Sequence, residues 1–482
     1  MQTYAVTLLL AFLTSLALTP LVRRWTLEKG IVDQAGSEHR KLHKRDTPRL
    51  GGIALVAAFY VPILGLLIYE TSVGQQLLAQ PLLAYGLLGG GLAIAALGLY
   101  DDLFGSSATI KLVVQIAVAI VAVELGFKIE RVSLPFFEAL ELGVFAYPVT
   151  VLWIVGVTNA VNLIDGLDGL AAGVALCAIV PVLVLGFING LTVMVLISCA
   201  LIGGLLGFLV YNTHPARIFM GDTGSMFLGF VLALVTVQTS LKGPATVAML
   251  TPILALGLPI MDTLLAMARR MWLGKVVFSA DTDHIHHRLM QQGLSHKSTV
   301  LFLYGFGALL AALGIAISLQ HDREAGLVLG VAVVVVAVLM RRLGYLELKR
   351  PRSLRRVRRS NRQLRHLVSY LSLRVSSVKD VHEVEILATE LARAAGATTC
   401  SLDTSITDAQ EDPPRLGGGQ ETVQVPLKDS HGRAAGVLFM VFPKDQTLDS
   451  QVEDLFLKGS RHVADMLARV KPACEPRPRA AV

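Results

Sequence analysis

Charge is scarce in this chain. Only 16% of its 482 residues are Asp, Glu, Lys or Arg, whereas a soluble domain carries about a quarter. Hydrophobic residues make up 53%, and the mean hydropathy is +0.60. That composition excludes an ordinary soluble protein. Cysteine is scarce too. Cys177, Cys199, Cys400 and Cys474 show no metal-ligand spacing and give no support to disulfides. No basic segment precedes the first apolar run, and Arg23 and Arg24 follow it. That run therefore reads as a membrane span, not a cleaved signal peptide.

What is present is a series of apolar runs of roughly 18–22 residues, the length that crosses a hydrocarbon core. They predict an all-α polytopic membrane protein with about 11 transmembrane helices. The runs lie near 4–22, 51–69, 82–100, 109–126, 147–161, 169–189, 191–210, 224–240, 246–267, 299–318 and 325–340. Lys and Arg set the orientation. The first loop carries Arg23, Arg24, Lys29, Arg40, Lys41, Lys44, Arg45 and Arg49, and Glu70–Pro81 carries none. Arg269, Arg270, Lys275, Arg288 and Lys297 follow the ninth run. Alternation puts the N-terminus outside and the C-terminus in the cytoplasm. The net charge of +7 then faces anionic lipid, a better match than nucleic acid because the basic residues hug the membrane.

Composition divides the chain into a transmembrane domain over 1–345, a basic juxtamembrane helix over 346–376, a small cytosolic α/β domain over 377–472 and a disordered tail over 473–482. Within the third part, Val381–Ala395 has helical periodicity. Thr422–Pro426 and Ala435–Phe442 alternate like strands, and Leu448–Val470 reads as a helix. The stretch VPLKDSHGRAAGVLFMVF before a long helix resembles the C-terminal half of a GAF-type sensor domain. Nothing in it names a ligand, so its cytosolic ligand or partner is left unknown.

Polar clusters interrupt the apolar runs, and all can lie on the cytoplasmic side. Charge near lipid is costly and calls for a function. Asp101-Asp102 closes the third run, and Lys111 opens the fourth. Paired carboxylates can share a metal or hold one raised pKa; helix-end placement alone is the plainer account. Asn162, Asp165 and Asp168 recur every three residues, one helical face if the helix persists. Their hard oxygen atoms suit Mg²⁺. Asn212 to Ser225 adds Phe219 and Asp222, and Gly-Asp-Thr-Gly-Ser also reads as a helix start. Phe219 can stack on a planar base or simply pack. His284, His286, His287 and Arg288 suggest either zinc or a diphosphate; their spacing matches helical zinc pairs poorly, which favours the diphosphate.

These motifs together indicate Mg²⁺-assisted phosphoryl transfer at a membrane surface. GLYDDLFG, NAVNLIDGLDGLAAG, NTHPARIFMGDTGS and HIHHRL, in this order, resemble the motifs of the polyprenyl-phosphate N-acetylhexosamine-1-phosphate transferases over about residues 1–345. The HIHHR form is similar to the branch that uses UDP-N-acetylglucosamine. The branch that uses UDP-N-acetylmuramoyl-pentapeptide is the runner-up. The tail beyond about 350 departs from the family core.

The resemblance implies roles for individual residues. Asp222 would bind Mg²⁺ (or Mn²⁺), with Asp165 beside it. Asp101 or Asp102 would deprotonate the lipid phosphate. Asn162, Asp165 and Asp168 would form a nucleotide- and metal-binding face. Asn212 and Phe219 would hold the uracil. His284, His286, His287 and Arg288 would meet the diphosphate or sugar, and Lys111 a phosphate. Lys44, Thr47 and Arg49 would lie near the lipid phosphate. The implied partners are a UDP-sugar, a polyprenyl phosphate lipid and the bacterial cytoplasmic membrane, with room for a homodimer.

Two other classes compete. A transporter or flippase should carry ionisable residues at mid-span, yet Lys111 and Glu124 lie near the ends of their run. A membrane-anchored sensor leaves the four motifs unexplained.

Overall fold

The structure is a computed structural model. It describes residues 2–33, 47–69, 71–132, 140–241, 249–273, 284–320, 322–343, 351–404, 422–430, 433–442 and 450–470. Lys44, Asp281, Asp283 and the tail 473–482 lie outside the described residues. Two compact units emerge: residues 1–267 with 280–347, and residues 268–279 with 348–482.

The first unit is helical. Its main elements are α1 (Gln2–Glu28), α2 (Gly51–Ile68), α3 (Gly90–Phe104), α4 (Ala108–Glu124), α5 (Ala146–Ile164) and α6 (Leu170–Ile188). Then come α7 (Thr192–Asn212), α8 (Gly221–Leu241), α9 (Gly257–Leu273, of which residues up to 267 belong to this unit), α10 (Ile285–Gln291), α11 (His296–Leu319) and α12 (Asp322–Arg342). Among the described residues, nine helices are long and apolar enough to cross a membrane. The sequence suggested eleven runs. Two of them take other forms here: α4 has 17 residues, and the ninth run is broken between Leu250–Ala255 and α9. Gly257 follows that break directly, and glycine disfavours a helix interior.

α8 is the central helix. Phe227, Phe230, Val231, Leu234 and Val235 along it are fully buried, surrounded by α2, α3, α5 and α6. Apolar side chains all round mark a helix enclosed by protein rather than lipid. Its start is reached very closely by α3. A Cβ on Gly98 would lie 2.5 Å from the Asp222 carbonyl oxygen, so only glycine permits this approach. The approach brings the end of α3, with Asp101 and Asp102, against the N-terminus of α8.

Backbone pairing carries the segment before α2 to the same place. Thr47–Pro48 pairs antiparallel with Val32–Asp33. The Phe219 N–H donates to the Pro48 carbonyl at 2.7 Å, and the Gly51 and Gly52 N–H groups donate to Phe219 and Met220.

The second unit contains α13 (Pro351–Arg374), α14 (Val381–Ala395) and α15 (Ser450–Val470), with a three-stranded antiparallel sheet in the order β1-β3-β2. The strands are β1 (Thr399–Asp403), β2 (Thr422–Lys428) and β3 (Ala434–Val441). Alternate residues Val423, Val425 and Leu427 on β2, with Leu438 and Met440 on β3, enter the core. There they share a cluster with Leu387 and Leu391 of α14 and with Phe456, Val463 and Leu467 of α15. Leu364 and Leu371 of α13 are buried in the same core. The basic helix is therefore also a structural part of this unit.

Candidate active site

The carboxylates that interrupt the apolar runs converge on the N-terminus of α8. Lys111 joins two of them: its Nζ lies 2.6 Å from Asp101 Oδ2 and 2.5 Å from Asp222 Oδ2. The other oxygen of Asp101 accepts from the Ser106 N–H and hydroxyl at 2.8 and 2.6 Å. Asn162, at the end of α5, donates its amide to Asp222 Oδ1 at 3.0 Å and to the Ser225 hydroxyl at 2.9 Å. Three segments far apart in sequence thus meet at Asp222.

The two members of the Asp101-Asp102 pair have different occupations. Successive residues on a helix point about 100° apart. Asp101 faces Lys111, whereas Asp102 is buried against the first turn of α8. Asp102 Oδ1 accepts from the Asp222 N–H at 3.0 Å, and Oδ2 accepts from the Thr223 N–H and hydroxyl at 2.9 and 2.7 Å. It caps a helix from outside that helix. Gly221, with φ +71°, makes the left-handed turn that aims those N–H groups, and a Cβ there would strike the Asp102 carboxylate. Arg49 donates to the Asp102 carbonyl at 2.6 Å, which fastens the segment before α2 to the site.

Asp165 follows α5 directly. Desolvation raises its carboxyl to about 8, and the nearby charges of Asp222, Asp102 and Asp168 add to the rise. A half-buried carboxylate among carboxylates is stabilised by a cation. Asp222, Asp165 and Asp101 offer hard oxygen donors from separate elements, the donor type that fits Mg²⁺. Lys111 already places positive charge between two of them.

Asp168 lies three residues on, buried. Its Oδ2 is 2.7 Å from His214 Nδ1 and accepts from the Ala216 N–H at 3.0 Å. The next residue, Gly169, adopts φ +77° and starts α6; its carbonyl accepts from the Tyr304 hydroxyl at 2.6 Å.

The histidine motif touches this turn through His286, whose Nε2 would lie 3.0 Å from a Cβ on Gly166. His286 is 2% exposed, and among the described residues neither of its buried ring nitrogens has a hydrogen-bond partner. Burial, then the adjacent His287, lowers its pKa to about 3, so the ring stays neutral at physiological pH. His284 is turned elsewhere: its Nδ1 lies 2.9 Å from Asp262 Oδ2 on α9, and Asp262 Oδ1 accepts from the Ile285 N–H at 2.8 Å. The His287 ring lies 4.3 Å from that of His286. Arg288 donates to the Leu343 carbonyl at 3.0 Å.

Two further candidates are Asn212, the last residue of α7, and Phe219 in the segment before α8. Asn212 is buried, and its amide donates to the Ile218 carbonyl at 2.9 Å, which shapes that segment. Phe219 is half-buried, and its backbone pairs with Pro48 and Gly51. Thr223, Ser225, Ser106, His214, His296, Tyr304 and Asp262 also belong to this region, and sequence reasoning assigned none of them a site role. Thr223 and Ser225 stand inside the quoted GDTGS motif, a signal that was available.

Comparison with known proteins agrees with the motifs. Residues 84–240 match the family model described as "Glycosyl transferase family 4". A Bacillus subtilis protein named "Probable undecaprenyl-phosphate N-acetylglucosaminyl 1-phosphate transferase" is 41% identical over 303 residues, covering 63% of this chain and 81% of the relative. A decaprenyl-phosphate N-acetylglucosaminephosphotransferase of Mycolicibacterium smegmatis is 34% identical, covering 62% of this chain and 79% of the relative. The phospho-N-acetylmuramoyl-pentapeptide-transferase of Bacillus subtilis is 32% identical, covering 66% of this chain and 98% of the relative. The chain belongs to glycosyl transferase family 4, among the polyprenyl-phosphate N-acetylhexosamine-1-phosphate transferases whose motifs it carries.

Proposed function

We propose that the protein transfers N-acetylglucosamine-1-phosphate from UDP-N-acetylglucosamine to undecaprenyl phosphate and releases UMP. The product would start a cell-envelope glycan. The observation that carries this reading is the junction of Asp101, Lys111, Asn162 and Asp222 at one helix N-terminus. Such a junction suits a diphosphate: Lys111 meets a phosphate, and the oxygen donors hold the counter-ion. The 41% identity to the Bacillus subtilis relative supports N-acetylglucosamine as the sugar.

Mg²⁺ would be held by Asp222 and Asp165, with Asp101 within reach. When bound, it supplies charge neutralisation for the diphosphate and the departing UMP. The remaining work falls to side chains. Lys111 exchanges its carboxylate partners for a substrate phosphate. Asp101 takes the residual proton of the acceptor phosphate, which is already largely ionised at pH 7 because its second pKa is near 6. Asp102 keeps the first turn of α8 aimed at the donor. Neutral His286 donates a hydrogen bond to the diphosphate or sugar. In-line attack by the lipid phosphate then needs no covalent enzyme intermediate.

The same reading places the site on the cytoplasmic face of a bacterial inner membrane, with the N-terminus outside and eleven spans in all. α4 and the broken ninth run make up the difference from nine. The C-terminal unit would be a GAF-type domain that responds to a cytosolic ligand. The test is a panel of UDP-sugars with purified protein and undecaprenyl phosphate. UDP-N-acetylglucosamine should be the best donor, and no transfer from any N-acetylhexosamine would refute the reading.

A further inference from the structure

Asp262 stands inside the ninth apolar run, outside the four motifs, and is 2% exposed. A carboxylate within an apolar membrane segment is costly and calls for a role. Both of its oxygens are occupied by the start of α10. Oδ2 lies 2.9 Å from His284 Nδ1, and Oδ1 accepts from the Ile285 N–H at 2.8 Å. A carboxylate only accepts, so Nδ1 of His284 carries the proton. His284 is the N-cap residue of α10, and its own side chain makes no capping bond. Asp262 supplies that cap from α9, across 23 positions.

The consequence falls on His286, the second residue of α10. The direction of the first turn decides where its ring lies. That ring runs parallel to the ring of His284, with planes 2° apart and centroids 5.7 Å apart. Its Nε2 would lie 3.0 Å from a Cβ on Gly166, in the turn that carries Asp165 and Asp168. A helix of seven residues does not hold its own direction, since isolated helices shorter than about 12 residues are marginal. The buried carboxylate fixes it.

We propose that Asp262 is a positioning residue for transfer, capping α10 from α9 and thereby holding His286 against the Gly166 turn. It acts through His284 and Ile285 and touches no substrate itself. The placement matters for the function proposed above, on which this role rests: there His286 meets the diphosphate or sugar.

Full-length protein in detergent is assayed with UDP-N-acetylglucosamine and undecaprenyl phosphate. Asp262→Ala should lower kcat/KM for the donor by roughly 10²-fold, the cost of a misplacement near 1 Å. In Asp262→Asn the carbonyl still accepts from Ile285, and the amide donates to Nδ1 of the other His284 tautomer. That variant should recover at least about tenfold of the loss. A double-mutant cycle separates positioning from a general loss of stability. Adding Asp262→Ala to His286→Ala should cost less than about threefold more, because the residue being positioned is gone. Adding it to Asp101→Asn should multiply the losses. If Asp262→Ala does not fold, Asp262→Glu takes its place in the cycle, with the charge kept and the side chain one methylene longer. Hydrogen exchange at the amides of residues 285–291 needs no substrate. It should rise in Asp262→Ala and stay at the wild-type level in Asp262→Asn. Wild-type kcat/KM in Asp262→Ala, losses that multiply with His286→Ala, or exchange over α10 unchanged by Asp262→Ala would overturn the proposal. Exchange that rises as expected in a protein without transfer from any N-acetylhexosamine would support the cap and refute only the function proposed above.

Discussion

The Asp102 carboxylate accepts hydrogen bonds from both the backbone N–H and the hydroxyl of Thr223, at 2.9 and 2.7 Å. It therefore works as the external cap of α8, while its neighbour Asp101 faces Lys111. The two carboxylates should fail differently. Asp102→Asn replaces an acceptor oxygen with an amide NH₂ among donors, a loss of about 1–3 kcal/mol in stability. Asp101→Asn should leave the unfolding temperature in detergent nearly unchanged and lower turnover by roughly 10²–10⁴-fold. Thermal unfolding and single-turnover rates on both variants check this. Equal destabilisation by the two would contradict the division of labour.

Metal dependence follows from the oxygen donors at Asp222 and Asp165. Chelation with EDTA should abolish transfer, and excess Mg²⁺ should restore it. Asp222→Asn should cut turnover far more than Asp281→Asn. Restoration by Zn²⁺ alone, with Mg²⁺ ineffective, would refute the assignment.

Topology is tested by cysteine labelling. With the N-terminus outside, a cysteine at position 72 should react with an impermeant reagent in intact cells. One at position 295 should react only after permeabilisation. Labelling of position 295 in intact cells would break the single-face arrangement.

Where the chain is cut should matter. Leu364 and Leu371 of α13 are buried in the core of the C-terminal unit. A chain ending after Ser376 keeps this helix without its partners and exposes both leucines. It should aggregate more than a chain ending after Glu347, the last residue of the first unit. Size-exclusion profiles and transfer activity in detergent compare them. If the shorter chain is folded yet inactive with saturating substrates, the C-terminal unit contributes to the site.

Much of this architecture is visible in the sequence because the membrane enforces it. Apolar length and Lys/Arg placement are local signals, and Val381–Ala395 is a helix with the same bounds in both views. The meeting of Asp101, Asn162 and Asp222 was approachable too, since charged clusters at span ends share one face. The pairing of Asp168 with His214 was not. Their separation in sequence is bridged by how α6 and α8 pack, and no local periodicity encodes that. Asp102 as a cap was equally hidden, because ordinary capping acts within a few residues, and this cap acts across 121 positions. β1 was missed because Thr399–Asp403 is short and has a mixed burial pattern. The count of spans was obscured before Gly257, where an otherwise apolar run is broken between two helices.

The most direct test uses purified protein, undecaprenyl phosphate and UDP-N-acetylglucosamine radiolabelled in the β-phosphate, with separation of the lipid and nucleotide products. The bond broken should lie between the two phosphates. The label should therefore appear in the lipid fraction, with unlabelled UMP released in equal amount. Label leaving as UDP, with unphosphorylated sugar on the lipid, would contradict phosphosugar transfer.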